Sequence, residues 1–198
     1  MHADPWLNPA TLTHPAASLV PLDVSHAEAL IDAAETPETF RYFSRLPDPF
    51  TAEGMREFIA FLLGPAETSP HAVLDPAGEP VGITTYLARM PAHQGIEIGW
   101  TWYAPRVRGT VVNPACKLML MRHAFETLGA HRLQLRTDAR NARSRAAILK
   151  LGASFEGEFR ENVLMPDGFR RSSVYYSVLA PEWPGVRAGL EARLEALA

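Results

Sequence analysis

The residues whose types and spacing suggest chemistry are concentrated between positions 97 and 117, EIGWTWYAPRVRGTVVNPACK. Glu97 opens the stretch, Arg106, Arg108 and Gly109 sit in its middle, and Asn113-Pro114 leads into an apolar run. Asn is a favoured helix cap and Pro a favoured first helical residue, so the pair predicts a helix start, with Asn113 as the N-cap and Pro114 as the first residue. A basic loop containing glycine and running into a helix N-terminus is anion-binding architecture. The backbone N–H groups of Gly109, Thr110, Val111, Val112 and Asn113, together with the positive end of the helix dipole, would face whatever lies over the loop. Arg106 and Arg108 suit bidentate pairing with phosphate oxygens. Cys116 is the lone cysteine, which excludes an intramolecular disulfide and a cysteine-based metal site. It reads as a core residue and not as a nucleophile. The seven histidines show no metal-ligand spacing, so no metal is expected.

The elements that must position these groups follow from periodicity. Residues 94–103 alternate as a strand, with Ile96, Ile98, Trp100 and Trp102 on one face and Glu97, Gly99, Thr101 and Tyr103 on the other. Upstream, the pattern predicts a strand at 18–22 and a helix over 26–35 capped by Ser25. A Pro- and aromatic-rich loop covers 36–50, and a helix over 52–63 follows the cap Thr51. Strands at 71–74 and 81–90 flank the turn Asp75-Pro76-Ala77-Gly78. Downstream come a helix over 114–128 stopped by Gly129, a strand at 131–137, and an Asn141-capped helix ending at Leu151 with Gly152 after it. A hairpin of 153–165 and 170–179 turns through Pro166-Asp167-Gly168, and a last helix spans 183–197. Residues 1–17 read as an irregular arm packing through Trp6 and Leu7; residues 18–198 read as one domain with a short C-terminal helix. The order β-αα-βββ-α-β-α-ββ-α implies an α/β (α+β) fold with a mixed central sheet flanked by helices.

Composition sets bounds on this reading. The 198 residues are 47% hydrophobic, enough for one full core. A net charge of −3 argues against a general nucleic-acid binder. All basic residues except Lys117 and Lys150 are arginine. No apolar run has signal-peptide or membrane-spanning length, so no membrane partner and a cytoplasmic location are expected. A homodimer is left open.

Several of these pieces, in this order, resemble the GNAT-type N-acetyltransferases. That family carries a strand, a Q/R-x-x-G-x-G/A pyrophosphate loop and a helix, followed by a strand and an Asn-capped helix ending Leu-Gly. The counterparts are Glu97-Ile-Gly-Trp-Thr-Trp, Arg106-Val-Arg-Gly-Thr-Val and Asn141-Ala-Arg-Ser through Lys150-Leu-Gly. Leu164-Met-Pro-Asp-Gly-Phe-Arg-Arg and Val174-Tyr-Tyr-Ser look like the branch that acetylates N-terminal alanine or serine of ribosomal proteins. The resemblance covers roughly 18–183 and implies the GNAT fold, acetyl-CoA as co-substrate and an amine as acceptor.

It further implies roles for single residues. The pyrophosphate lies over the 109–113 loop, the backbone of Trp102, Tyr103 and Ala104 holds the pantetheine amides, and Asn141 bonds the same arm. Glu97 serves as general base, with Glu158 and Glu161 as rivals, and Ser144 assists the leaving thiolate. Two positions depart from the pattern: Val111 stands where the second loop glycine is usual, and Ile148 where many relatives have a tyrosine. A protein α-amine is the expected acceptor. A small-molecule amine, or a non-catalytic acyl-CoA-binding module, are the alternatives.

Overall fold

The computed structural model describes Trp6 and residues 10–197. Eight strands form one sheet in the order β1-β2-β3-β4-β5-β6-β8-β7. They are β1 (Leu12–His14), β2 (Ala17–Pro21), β3 (Ser69–Leu74), β4 (Pro80–Met90), β5 (Gly95–Tyr103), β6 (Arg132–Asp138), β7 (Ser154–Leu164) and β8 (Arg170–Leu179). Five α-helices accompany them: α1 (Ala27–Ala34), α2 (Ala52–Leu63), α3 (Val112–Arg122), α4 (Ala142–Leu149) and α5 (Trp183–Glu195). All strand pairs are antiparallel except β5 with β6, whose parallel pairing is reached by a crossover through α3. The predicted mixed sheet and element order are therefore present.

The sheet is covered on both faces. One core holds Leu30 from α1, Phe58, Ile59 and Leu62 from α2, and Ile83 and Trp102 from the sheet. The other holds Leu118, Leu120 and Met121 of α3, Leu190 and Leu194 of α5, and Ile96, Ile98, Leu133, Leu135, Val174 and Tyr176 of the strands. Helices α1, α2 and α5 bury a stripe at helical spacing, whereas α3 is buried on every side from Pro114 to Met121.

Four details differ from the sequence expectation. Leu12–His14 pairs with β2, so part of the presumed irregular arm is an edge strand. Trp6 is buried, and its carbonyl accepts from Arg89 Nη1; Leu7 lies outside the described residues. The turn before α1 is capped by Asp23, whose carboxylate accepts from Ser25 N–H at 2.9 Å, and not by Ser25. Helix α3 begins at Val112, so Asn113 and Pro114 lie inside its first turn and Asn113 is not the cap. Proline is tolerated there because its missing N–H has no intrahelical partner to lose.

The fourth difference matters most for the site. The β4–β5 register slips between Ile83↔Trp102 and Thr85↔Gly99, and Trp100 sits at φ 46°. This bulge inserts one extra residue and reverses which side later residues face. Ile96 and Ile98 enter the α3–α5 core, whereas Trp100 and Trp102 enter the α1–α2 core. The expectation that all four share a face fails because strict alternation assumes an unbroken pleat.

Candidate active site

The parallel pairing of β5 and β6 runs from Gly95↔Arg132 to Ile98↔Leu135 and stops. Beyond it, β5 continues to Tyr103 against β4 alone, and β6 continues to Asp138 against β8 alone. The two strands therefore splay, leaving two unpaired backbone edges facing a common cleft. Such an edge can hold an extended amide-bearing chain as a sheet holds an added strand. Ala104 cannot contribute its N–H, which donates to Val81 O at 2.7 Å. Trp102 is buried, and Tyr103 packs against the opposite core.

At the end of β5 lies the loop that the sequence singled out. Thr110 N–H donates to Val107 O, Val112 N–H reaches Thr110 Oγ1 at 3.3 Å, and Pro114 has no N–H. The N–H groups of Gly109, Val111 and Asn113 have no acceptor among the described residues. Three free donors beside a helix N-terminus make an anion cradle. Gly109 has φ 80°, a conformation that disfavours side chains, while a Cβ there would meet nothing within 4 Å. Val111, by contrast, has φ −66° and ψ −18°, so its backbone has no need of glycine.

The arginines do not simply point over the loop. Arg106 Nη2 lies 3.4 Å from Asp75 Oδ2, at the β3–β4 turn. Arg108 folds back: its Nε donates to Tyr103 O at 2.8 Å and its Nη2 to Thr39 Oγ1 at 2.9 Å. Burial and then the Arg143 guanidinium pull Arg108 below the ordinary guanidinium value, with Glu35 opposing. Arg143 belongs to the first turn of α4, and its charge is felt at Arg108. Sequence reading missed Arg143, although its place two residues after the Asn141 cap was a usable signal.

Asn141 caps α4, its Oδ1 accepting from Ser144 N–H at 3.0 Å. Ser144 is partly exposed in that first turn. Ile148 is buried in the core below, so no phenol reaches the cleft from that position.

Glu97 sits where the strands begin to part and is 3% exposed. Its Oε2 accepts from Gln134 Nε2 at 2.7 Å, and its Oε1 lies 2.8 Å from Arg136 Nε. The Arg136 contact is an ion pair without hydrogen-bond alignment, so Oε1 retains capacity for another donor. Burial raises the Glu97 carboxyl above its ordinary value, against the pull of Arg136 and Gln134. Glu158 and Glu161 are exposed on β7, the edge strand of the sheet, two strands from the β5–β6 pairing.

Asp138, which sequence reading passed over, ends β6 inside the splay and is 1% exposed. Burial pushes its carboxyl up, but the Arg140 hydrogen bonds outweigh this and hold it below the usual value. Cys116 is fully buried, and burial pushes its thiol up to about 12, which leaves it inert.

The chain, with its splayed β5–β6 pair and free N–H groups in the loop after β5, belongs to the GNAT family. Residues 18–154 match its acetyltransferase (GNAT) domain. Among solved structures, a "putative acetyltransferase" from T. thermophilus is 39% identical, with a TM-score of 0.89, covering 96% of this chain and 99% of that one. Mycobacterium smegmatis RimJ in complex with CoA-disulfide shares the fold at 22% identity, with a TM-score of 0.76 and 96% of each chain covered. The curated Bacillus subtilis protein "Putative ribosomal N-acetyltransferase YdaF" is 34% identical over 90 residues, 45% of this chain. That match spans about half the length of the curated relative, 48%.

Proposed function

We propose that this protein transfers an acetyl group from acetyl-CoA directly to an amine, with a protein N-terminal α-amine as the favoured acceptor. One observation carries the reading: β5 parts from β6 after Ile98 and then leads into a loop whose Gly109, Val111 and Asn113 N–H groups lack acceptors among the described residues. Unsatisfied donors of this kind fit phosphate oxygens, and an unpaired strand edge fits an amide-bearing arm. When bound, acetyl-CoA supplies an activated thioester; everything else falls to the chain. Gly109, Val111 and Asn113 would hold the pyrophosphate, with Arg108 and Arg143 supplying positive potential beside it. The β5 edge and Asn141 would orient the arm so that the thioester lies near Glu97.

The amine nitrogen bonds to the acetyl carbon, the C–S bond breaks, and the proton leaving nitrogen passes to Glu97, directly or through water. A carboxyl with a raised pKa is the better proton acceptor near neutrality, and the open lone pairs of Oε1 give that proton a destination. The Ser144 hydroxyl, in the first turn of α4, would donate to the departing sulfur. Support for a protein acceptor comes from the description of the Bacillus relative as a ribosomal N-acetyltransferase.

Calorimetry with CoA and acetyl-CoA, followed by thiol-release assays on a library of peptides and small amines, tests the proposal. Binding, together with turnover of at least one α-amine, is expected. Failure of the intact protein to bind either form of the coenzyme would end the enzymatic reading.

A further inference from the structure

The open side of the splay holds three guanidinium groups and two carboxylates. Arg136 pairs with Glu97 at 2.8 Å, and Arg140 pairs with Asp138 at 2.7 Å. Arg140 grips its carboxylate by the Nε–Nη2 edge, Nε to Oδ1 and Nη2 to Oδ2. Both acids thus already face a cation of their own. The remaining cation, Arg171 of β8, has no carboxylate within ion-pair distance among the described residues.

Arg171 is held rigidly all the same. Its Nη1 donates to Tyr42 O at 3.0 Å, tying β8 to the aromatic loop between α1 and α2. Its Nε is buried and has no acceptor among the described residues. Two residues along, on the same face of β8, Ser173 is fully buried and its Oγ has no partner there either. Ser173 pairs in register with Asp138, so both orphans border the cleft end of β6. Burial lowers Arg171 from the ordinary guanidinium value; Asp138 opposes this and Arg136 adds to it, the signature of an under-compensated cation. Buried donors are rarely left unmatched in a finished site, and a guanidinium edge beside a cleft has the geometry of a carboxylate receptor.

We propose that Arg171, seconded by Ser173, is a carboxylate-binding subsite for the acceptor, so that the preferred substrate is an amine carrying its own carboxylate. This rests on the acetyltransferase reading and narrows its acceptor. The amine then lies toward Glu97 and the carboxylate toward β8. Two sources supply that chemistry: the α-carboxylate of a free amino acid, or an acidic side chain near the start of a peptide.

The test compares matched acceptors with acetyl-CoA: L-alanine against L-alaninamide, and Ala-Asp-Ala-amide against Ala-Asn-Ala-amide. The charged member of at least one pair should lead in kcat/KM by about tenfold or more, the range of a hydrogen bond to a charged group. Whichever pair shows the difference identifies the source. In Arg171→Gln the ratio should fall to near one, mainly through KM, with Arg171→Lys intermediate because charge remains while the planar edge is lost. Equal use of both members by the wild type, compared per neutral amine, would overturn the subsite. So would an equal loss on both in Arg171→Gln, which would make the residue only a tether for Tyr42. If no amine is turned over, calorimetry with N-acetyl-alanine and N-acetyl-alaninamide in the presence of CoA separates the two ideas. Binding of the carboxylate alone, lost in Arg171→Gln, upholds the subsite while the enzymatic reading falls; binding of neither overturns the subsite as well.

Discussion

Replacing Glu97 by Gln separates a chemical role from a structural one. The amide has the same shape and can still accept from Gln134 Nε2, which donates to Oε2 at 2.7 Å. The ion pair with Arg136 is lost, but the Arg136 side chain is 36% exposed and water can take the place of the carboxylate. Removing a buried charge also removes its desolvation cost. These effects offset, and the stability change should stay within about 1 kcal/mol. Loss of a general base costs on the order of 10²–10⁴ in rate, equivalent to about 3–5 kcal/mol of barrier. The rate effect should thus exceed the stability effect several-fold.

The pH dependence adds a second signature. An α-amine with pKa near 8 is about one-tenth neutral at pH 7 and about nine-tenths neutral at pH 9, so the deficit of Glu97→Gln should shrink as pH rises. In unfolding experiments the sign is fixed by burial, which raises the folded carboxyl above its unfolded value. Its stabilising contribution is complete below the unfolded pKa and disappears as pH climbs through the folded one. Wild type should therefore lose stability relative to Glu97→Gln over that window. The assay is thiol release at saturating acetyl-CoA across pH 6–9.5, with denaturant melts alongside. A Glu97→Gln profile that overlays wild type throughout would refute the reasoning and leave Asp138 as the remaining buried carboxylate of the cleft.

Gly109→Ala should destabilise by about 1 kcal/mol, from its positive φ and not from crowding, because a Cβ there meets nothing within 4 Å. It should also weaken CoA binding by tilting the cradle; unchanged affinity would show that the loop does not carry the phosphates. Cys116, with its buried thiol pushed up to about 12, should resist alkylation at pH 8 in the folded protein and react only on unfolding; rapid native labelling would contradict this. Burial lowers Lys117 to about 8, so from roughly pH 8 to 9 the unfolded chain binds more protons and stability should rise with pH, until the Cys116 thiol, pushed up to about 12, opposes the rise. Lys117→Met should flatten that rise in denaturant melts, and an unaltered slope would assign it to another group. Ser144→Ala should lower kcat with little change in CoA affinity, since the cap oxygen belongs to Asn141; an equal loss in both would mark a structural role.

Local pattern was enough to find most elements, because α1, α2 and α5 carry an apolar stripe and α2 and α4 a side-chain cap within a short window of sequence. Thr51 capping Gly54, Asn141 capping Ser144 and the positive-φ turn at Gly168 are all short-range chemistry. The anion cradle was legible for the same reason: loop, glycine and helix start are consecutive residues. What escaped were arrangements made by residues far apart in the chain. The Trp100 bulge reverses a face because β4 and β5 are out of step, which no alternation within β5 reveals. Leu12–His14 becomes a strand only because β2 offers an edge to pair with. Arg106 and Arg108 read as phosphate ligands from their positions alone, yet Asp75 and Thr39, distant in sequence, take up their guanidinium groups. Arg171 and Asp138 look like ordinary hairpin and strand-end charges until the splay sets them around one cleft. Neighbours along the chain settle the order of elements from β2 onward and the loop ahead of α3. The tertiary structure decided which charges meet across the cleft, since ion pairs and orphaned donors depend on distances that only the folded sheet sets.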